Sequence, residues 1–373
     1  MIQNIFILWA SGSVGRELIS QIIEHDGAEN NVNPSRIVWL ANTKHFIFDP
    51  SWIDTKLLQK ISSSRDSAIQ ELHFMGSEIS KMKDLLASVK KYKMDGEVVF
   101  ADVTAGKDEL LDFHNDVLNK SKNFLVTANK NPISLYSVDD FKKLNAEYGR
   151  YDTNTTVMWW AGILNFVKER VSIHDAIKKI EWVFSGTLWY ILSELEKQEK
   201  TFSQIVKDAK EGWYTEPNPM DDLNGLDVAR KLVILAREAW HSVDINDVEV
   251  NPLIDEKYSK YEWDDFLKAI QDEDVAFSSK VKDSEKKGEV LRYVWEMLVQ
   301  HKNIILKVWL KSVSKNSDLW TLSWTSNLAL VETDILWSPL PHVIKSRWAW
   351  LWVTAGAVRV WIAKMLPAWL SII

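Results

Sequence analysis

Three stretches of the chain concentrate residue types that perform chemistry. The densest is YTEPNPMDDLNGLDVARK, running from Tyr214 to Lys231. Glu216, Asp221, Asp222 and Asp227 set carboxylates before and on the first turn of a predicted helix, and Lys231 follows Asp227 by four residues. Compensation of the helix dipole and an i,i+4 pair worth about 0.3–0.5 kcal/mol account for the helical acids. Glu216 stands in the loop of Pro217 and Pro219 and is not explained that way. Carboxylates that hold an ammonium group, with a lysine on the same face, suit an amino-acid substrate. The second stretch is VTANKNP, which carries Lys130 just beyond an apolar strand. A lysine there is solvated, acts as a point charge, or, when desolvated, serves as a general acid/base. The third is IFILWASGSVGRELISQII from Ile5: an apolar strand, a small-residue turn, then Val14, Leu18 and Ile22 at helical spacing.

These stretches need a scaffold of alternating elements. RIVWLANTKHFIF from Arg36, EVVFADVTAG from Glu97, which enters a loop at Thr104, and NFLVTANKNPIS from Asn123 supply further strands. Helical stretches at 79–92 and 107–119 lie between them. Strands alternating with helices predict an α/β, Rossmann-like, doubly wound parallel sheet with ligands at the strand C-termini. Beyond about residue 151 the pattern changes. KKIEWVFSGTLWYILSEL from Lys178 reads as strand then helix, Phe202 to Ala209 as an amphipathic helix, and Asp221 to Ala239 as one helix. NIILKVWLKSV from Asn303 is strand-like and suits a mostly antiparallel sheet in an α+β domain. VTAGAVRVWIAKML from Val353 is a helix that returns to the first domain. The expected division is residues 1–151, completed by 341–373, as a nucleotide-binding domain, and 152–340 as a substrate-binding domain.

Composition narrows the chemistry. The 373 residues contain no cysteine, which removes disulfides, thiolate metal sites and cysteine nucleophiles. A net charge of -7 gives no basic footprint, so nucleic acid is not an expected partner. The N-terminus lacks a cationic leader, and Arg359 and Lys364 interrupt the most apolar C-terminal run, so no membrane partner is expected and a cytoplasmic protein is.

The chain holds 20 Trp against 13 Gly, where glycine alone averages about 7% of residues. Several tryptophans occupy turns that ask for glycine: Trp9 in the first strand-to-helix turn, Trp213 after a helix, and Trp348, Trp350 and Trp352 in WAWLW. A Trp-rich core or sugar-binding surface is one explanation. The other is that these codons specify glycine in the source organism, as when UGA is reassigned. Glycine at position 9 turns the loop into GASGSVG. Its bare backbone across Ser11, Gly12, Ser13, Val14 and Gly15 then presents N–H groups and a helix dipole to a pyrophosphate. The second strand ends in Asn42, Thr43 and Lys44, with no acid for a ribose 2′-hydroxyl. That end suits a 2′-phosphate, hence NADP more than NAD, or simply carries a solvated lysine.

With these residues in view, the chain resembles homoserine dehydrogenase over nearly its whole length. The resemblance rests on YTEPNPMDDLNGLDVARKLVILARE, FSGTLWYILSEL, VTANKNP, LANTKHFIFDPSWID and RWAWLWVTAGAV. Trp39, Trp52, Trp182, Trp240, Trp295 and Trp309, like Trp213, stand where the family carries glycine. The resemblance implies reduction of L-aspartate 4-semialdehyde to L-homoserine with NADPH or NADH, in a homodimer. It further implies catalytic roles for Lys130 and Lys231, with Asp227 paired to the latter. Glu216, Asp222, Thr187 and Tyr214 are implied to bind the substrate. Thr104, Lys130 and the loop from Trp9 to Gly15 are implied to bind the cofactor. A monovalent cation such as Na+ is implied near Asp152 and Asn154, although Asn154 aligns with a position where the family carries an acid. A regulatory domain after residue 373, and threonine feedback through one, are not expected.

Aspartate-semialdehyde dehydrogenase shares the substrate but needs a cysteine, which this chain lacks. Another NAD(P)-dependent reductase leaves the Tyr214–Lys231 segment unexplained. If the tryptophans are genuine, Trp9 blocks the pyrophosphate and the chain is a non-catalytic relative.

Overall fold

The computed structural model describes residues 3–25, 35–79, 85, 97–107, 109–120, 123–146, 149–158, 162–183, 186–212, 214–215, 218–301, 303–317, 319, 326–334, 342–347 and 351–364. The chain divides into two compact units, 1–162 with 349–373, and 163–348. Among the described residues no helix is long and apolar enough to cross a membrane.

The first unit is built on strands β1 (Gln3–Leu8), β2 (Ser35–Ala41), β3 (His45–Phe48), β4 (Ser77–Glu78), β5 (Glu97–Asp102), β6 (Phe124–Thr127) and β7 (Tyr151–Asp152), in the order β4-β3-β2-β1-β5-β6-β7. The strands β2, β1, β5, β6 and β7 run parallel. Their near-continuous apolar runs suit burial on both faces. Two antiparallel strands extend one edge, because the run from Arg36 is not one strand: Asn42 turns the chain and β3 pairs back on β2. Chain order reverses on either side of β1, so the crevice at its C-terminal end is where such folds hold ligands. Leu18 and Ile22 of helix Ser13–His25 are buried against this sheet, with Val14 at the margin. Helix Leu351–Lys364 belongs to the same unit, where Ile362 O accepts from Gln3 Nε2.

The expected helix at 79–92 falls almost wholly outside the described residues. The one at 107–119 is shorter than expected: Leu110–Asn115 is α-helical and Asp116–Lys120 widens into a π-helical turn.

The second unit carries β8 (Ile177–Val183), β9 (Val248–Val250), β10 (Glu289–Gln300), β11 (Asn303–Ser314), β12 (Ser326–Thr333) and β13 (His342–Arg347), in the order β13-β12-β8-β10-β11-β9. All pairings are antiparallel except β9 with β11. Leu306 and Val308 of β11 are buried beside helix Leu226–Glu238. Ile305, Lys307, Trp309 and Lys311 alternate with them and are exposed or half-exposed. The helical reading from Asp221 to Ala239 resolves into two helices, Met220–Leu223 and Leu226–Glu238. Gly225 breaks it at φ 74, and a Cβ there would lie 2.3 Å from the Tyr293 hydroxyl, so both dihedral and space require glycine.

Candidate active site

In the first unit, β1 delivers the chain into the loop at position 9. Trp9 adopts φ 69, the left-handed region that costs a residue with a Cβ about 1–2 kcal/mol. Gly12 N donates to Trp9 O at 3.0 Å, and Arg16 N donates to Gly12 O as the helix begins. A Cβ on Gly15 would lie 2.4 Å from Trp9 O, so helix and loop approach this closely only through glycine. A Cβ on Gly12 would lie 2.2 Å from Trp9 Cδ1: the indole covers the face of the loop. Ser11 is buried and Ser13 exposed at the helix N-terminus. Replacing this one indole with hydrogen leaves a cradle of small residues that fits a dinucleotide phosphate.

Asn42 Oδ1 accepts from the backbone N–H of Lys44 (2.8 Å) and His45 (2.7 Å), which fixes the turn and leaves Thr43 and Lys44 exposed. Lys44 is thus exposed in the turn that follows the C-terminal end of β2.

Thr104 and Lys130 belong to one hydrogen-bonded network whose other members were not apparent in the sequence. Thr104 N and Oγ1 donate to Asp102 Oδ1 at 3.0 and 2.7 Å. Asn129 Nδ2 donates to Thr104 Oγ1 at 2.8 Å and to Gly106 O at 3.0 Å. Asn131, on the other side of Lys130, donates through Nδ2 to Ala105 O and Gly106 O. The buried His114 sets Nε2 3.0 Å from Asp102 Oδ2. Burial alone would raise the Asp102 carboxyl, but the hydrogen bond and charge of His114 and the Thr104 donors outweigh it and hold the group below the usual carboxylate range. The signal for this cluster was the acid closing EVVFAD and the paired asparagines around Lys130.

Asp152 and Asn154 lie together and buried: Asp152 accepts from Asn154 N (3.0 Å) and Nδ2 (2.6 Å). Asn154 Oδ1 is buried without a hydrogen-bond partner. Met158, shortly after, has φ 42. An orphaned amide oxygen beside a carboxylate fits the donor set of a hard monovalent cation.

In the second unit, helix Gly186–Glu196 follows β8 and presents Thr187 at its start. The Thr187 hydroxyl lies 2.5 Å from Tyr214 O and 3.0 Å from Asp222 Oδ1, joining three of the residues singled out in the sequence. The Tyr214 ring stacks on Tyr190 with centroids 4.6 Å apart. Beyond Gly225, Asp227 and Lys231 share a helix face, and Lys231 Nζ meets Asp227 Oδ2 at 2.7 Å, with the lysine side chain 12% exposed. Trp213 and Glu216 lie outside the described residues. The unit therefore offers a carboxylate, Asp222, in contact with a hydroxyl that it shares with Tyr214 O, and a largely buried lysine held by a second acid. An amino-acid substrate needs the first for its amino group, and a carbonyl reduction needs the second for its proton.

The homoserine dehydrogenase family model matches residues 163–360. A homoserine dehydrogenase of Schizosaccharomyces pombe is 30% identical over 310 residues, covering 80% of this chain and 79% of its own length. The bifunctional aspartokinase/homoserine dehydrogenase 1 of Zea mays, a chloroplastic protein, is 29% identical over 363 residues. That alignment covers 93% of this chain but 36% of the maize protein, so the chain spans little more than a third of such bifunctional relatives. A hyperthermophilic archaeal homoserine dehydrogenase solved in complex with NADPH shares the fold, with a TM-score of 0.71, 19% identity, and coverage of 98% of this chain and 99% of that one.

Proposed function

The chain belongs to the homoserine dehydrogenase family, and from that premise we propose that it reduces L-aspartate 4-semialdehyde to L-homoserine, on the route to threonine, methionine and isoleucine. The observations that carry the reading are the Lys231–Asp227 pair at 2.7 Å and, in the same unit, the Thr187–Asp222 contact at 3.0 Å. In this proposal Glu216 and Asp222 bind the substrate ammonium and hydroxyl, with Thr187 and Tyr214 around them. Lys231, held by Asp227, donates a proton to the nascent alkoxide, and Lys130 is the second catalytic lysine. NADPH, when bound, supplies the hydride. The unit of residues 1–162 with 349–373 is the proposed cofactor domain, and that of residues 163–348 the proposed substrate domain. Asn42, Thr43 and Lys44 favour the phosphorylated cofactor over NADH.

The proposal includes glycine at position 9 in the native molecule. Trp240 supports this: it ends helix Leu226–Glu238 at φ 68, with Trp240 N donating to Arg237 O and His241 N to Ala236 O. That is the Schellman pattern, whose left-handed residue is usually glycine. Trp39 and Trp295 carry buried indole N–H groups without a hydrogen-bond partner, which a genuine core tryptophan rarely does. Asn154 Oδ1 and nearby backbone carbonyls are the proposed holders of a cation such as Na+. The half-exposed face of Ile305, Lys307, Trp309 and Lys311 is the surface we assign to a homodimer, acting in the cytoplasm.

The test uses protein made with glycine at the 20 Trp positions. Oxidation of NADPH on addition of aspartate semialdehyde is expected; folded protein without turnover overturns the assignment.

A further inference from the structure

We infer that Asp102, backed by His114, is the positioning residue that holds Lys130 at the ligand end of the sheet. The inference rests on the reductase reading of Lys130 and extends it to residues outside the ligand-facing loops.

Asp102 closes β5 and is 0% exposed. A carboxylate moved out of water is costly unless its lone pairs are filled. Here four donors fill them: Thr104 N and Oγ1 on Oδ1, and His114 Nε2 and Thr127 Oγ1 on Oδ2, the last at 2.9 Å. They come from the loop after β5, from helix Leu110–Asn115 and from the end of β6. His114 Nδ1 in turn lies 3.2 Å from the Tyr151 hydroxyl, which ties the carboxylate to β7.

The direction of these bonds matters more than their number. A hydroxyl has one proton, and Thr104 and Thr127 each spend theirs on Asp102. Both oxygens are left to accept from Asn129: Nδ2 donates to Thr104 Oγ1 at 2.8 Å and the backbone N–H to Thr127 Oγ1 at 3.0 Å. Asn129 Oδ1 then accepts from Asn131 N at 2.9 Å. Lys130 is the residue between, and its carbonyl accepts from Ser134 N and Oγ. Asn129, tied to the carboxylate through both threonine hydroxyls, and Asn131, tied to Asn129 and to the carbonyls of Ala105 and Gly106, therefore flank the backbone from which the lysine projects. An amide at position 102 has the same shape but turns one acceptor into a donor, which opposes His114 and Thr127 and reverses the hydroxyl directions.

The experiment compares Asp102→Asn, Lys130→Ala and the double variant in the full-length glycine-bearing chain. A lysine displaced by about 1 Å costs on the order of 100-fold in kcat. Asp102→Asn is expected to lower kcat by that order while KM for aspartate semialdehyde stays within about threefold. In the Lys130→Ala background it is expected to lower kcat no further, since the carboxylate acts through that lysine. An additive loss, or a fall in melting temperature with kcat intact, overturns the inference. If Asp102→Asn does not fold, His114→Leu carries the same cycle. A parent that binds NADPH but turns over no aspartate semialdehyde contradicts the reaction, not the network. Amide hydrogen exchange then decides: faster exchange at Thr104 and Asn129 in Asp102→Asn sustains the inference, and unchanged exchange overturns it.

Discussion

Lys231 Nζ and Asp227 Oδ2 lie 2.7 Å apart, one helical turn from each other, with the lysine largely buried and the acid about one-third exposed. On an exposed helix such a pair contributes a few tenths of a kcal/mol. Its value here is chemical: the acid pairs with a largely buried amine and fixes its direction. Lys231→Ala is expected to lower kcat by about 10²–10⁴-fold through loss of the proton donor, with NADPH affinity kept. Steady-state kinetics and a fluorescence titration check both parts. An unchanged kcat removes Lys231 from the reaction.

Thr187 joins Asp222 to the Tyr214 backbone: its single proton is shared between Tyr214 O at 2.5 Å and Asp222 Oδ1 at 3.0 Å. Thr187→Val keeps the shape and removes the bond. The expected result is a KM for aspartate semialdehyde about tenfold higher, equivalent to about 1.4 kcal/mol, with kcat within a small factor. A KM equal to the parent's separates Thr187 from substrate binding.

Trp240 is 69% exposed in the left-handed region at a helix end. Relief of that backbone cost outweighs the added freedom of the unfolded chain, so Trp240→Gly alone is expected to stabilise the tryptophan-bearing protein by about 1 kcal/mol. The midpoint of urea unfolding reads this. A lower midpoint shows that the indole makes a contact worth keeping.

The strand, turn and helix from Ile5 were legible because apolar period and small turn residues change together there. Asp227 and Lys231 were legible because an i,i+4 spacing on a helix places them on one face. The Asp102 network was not, since His114 and Thr127 lie 12 and 25 positions away and meet the carboxylate only once β5 and β6 pair. The run from Arg36 looked like one strand because its apolar residues continue through NTK. Only the Asn42 side chain, which captures two backbone N–H groups, marks the reversal. The Asn224–Gly225 pair was a turn signal inside a helical pattern, and the clash that a Cβ would make with Tyr293 comes from a strand far along the chain.

Glu181 on β8 accepts from Lys311 Nζ at 2.5 Å and Lys179 Nζ at 3.1 Å. Burial alone would raise its carboxyl, but the hydrogen bond and charge of Lys311, then those of Lys179, outweigh it and hold the group below its ordinary value of 4.5. A folded-state pKa below the unfolded one adds stability that is complete above the unfolded value and lost as pH falls through the folded value. Glu181→Gln is therefore expected to melt below the parent at pH 7, with the gap closing as pH drops beneath about 4. A gap independent of pH contradicts the pairing.

The account turns on a bare backbone at position 9, and mass spectrometry of tryptic peptides from the source cells tests it directly. The peptides Met1–Arg16 and Glu238–Lys257 contain positions 9 and 240. Both are predicted to carry the mass of glycine there. Tryptophan at position 9 in the native protein would leave an indole over Gly12 and contradict the dinucleotide site on which the reductase assignment depends.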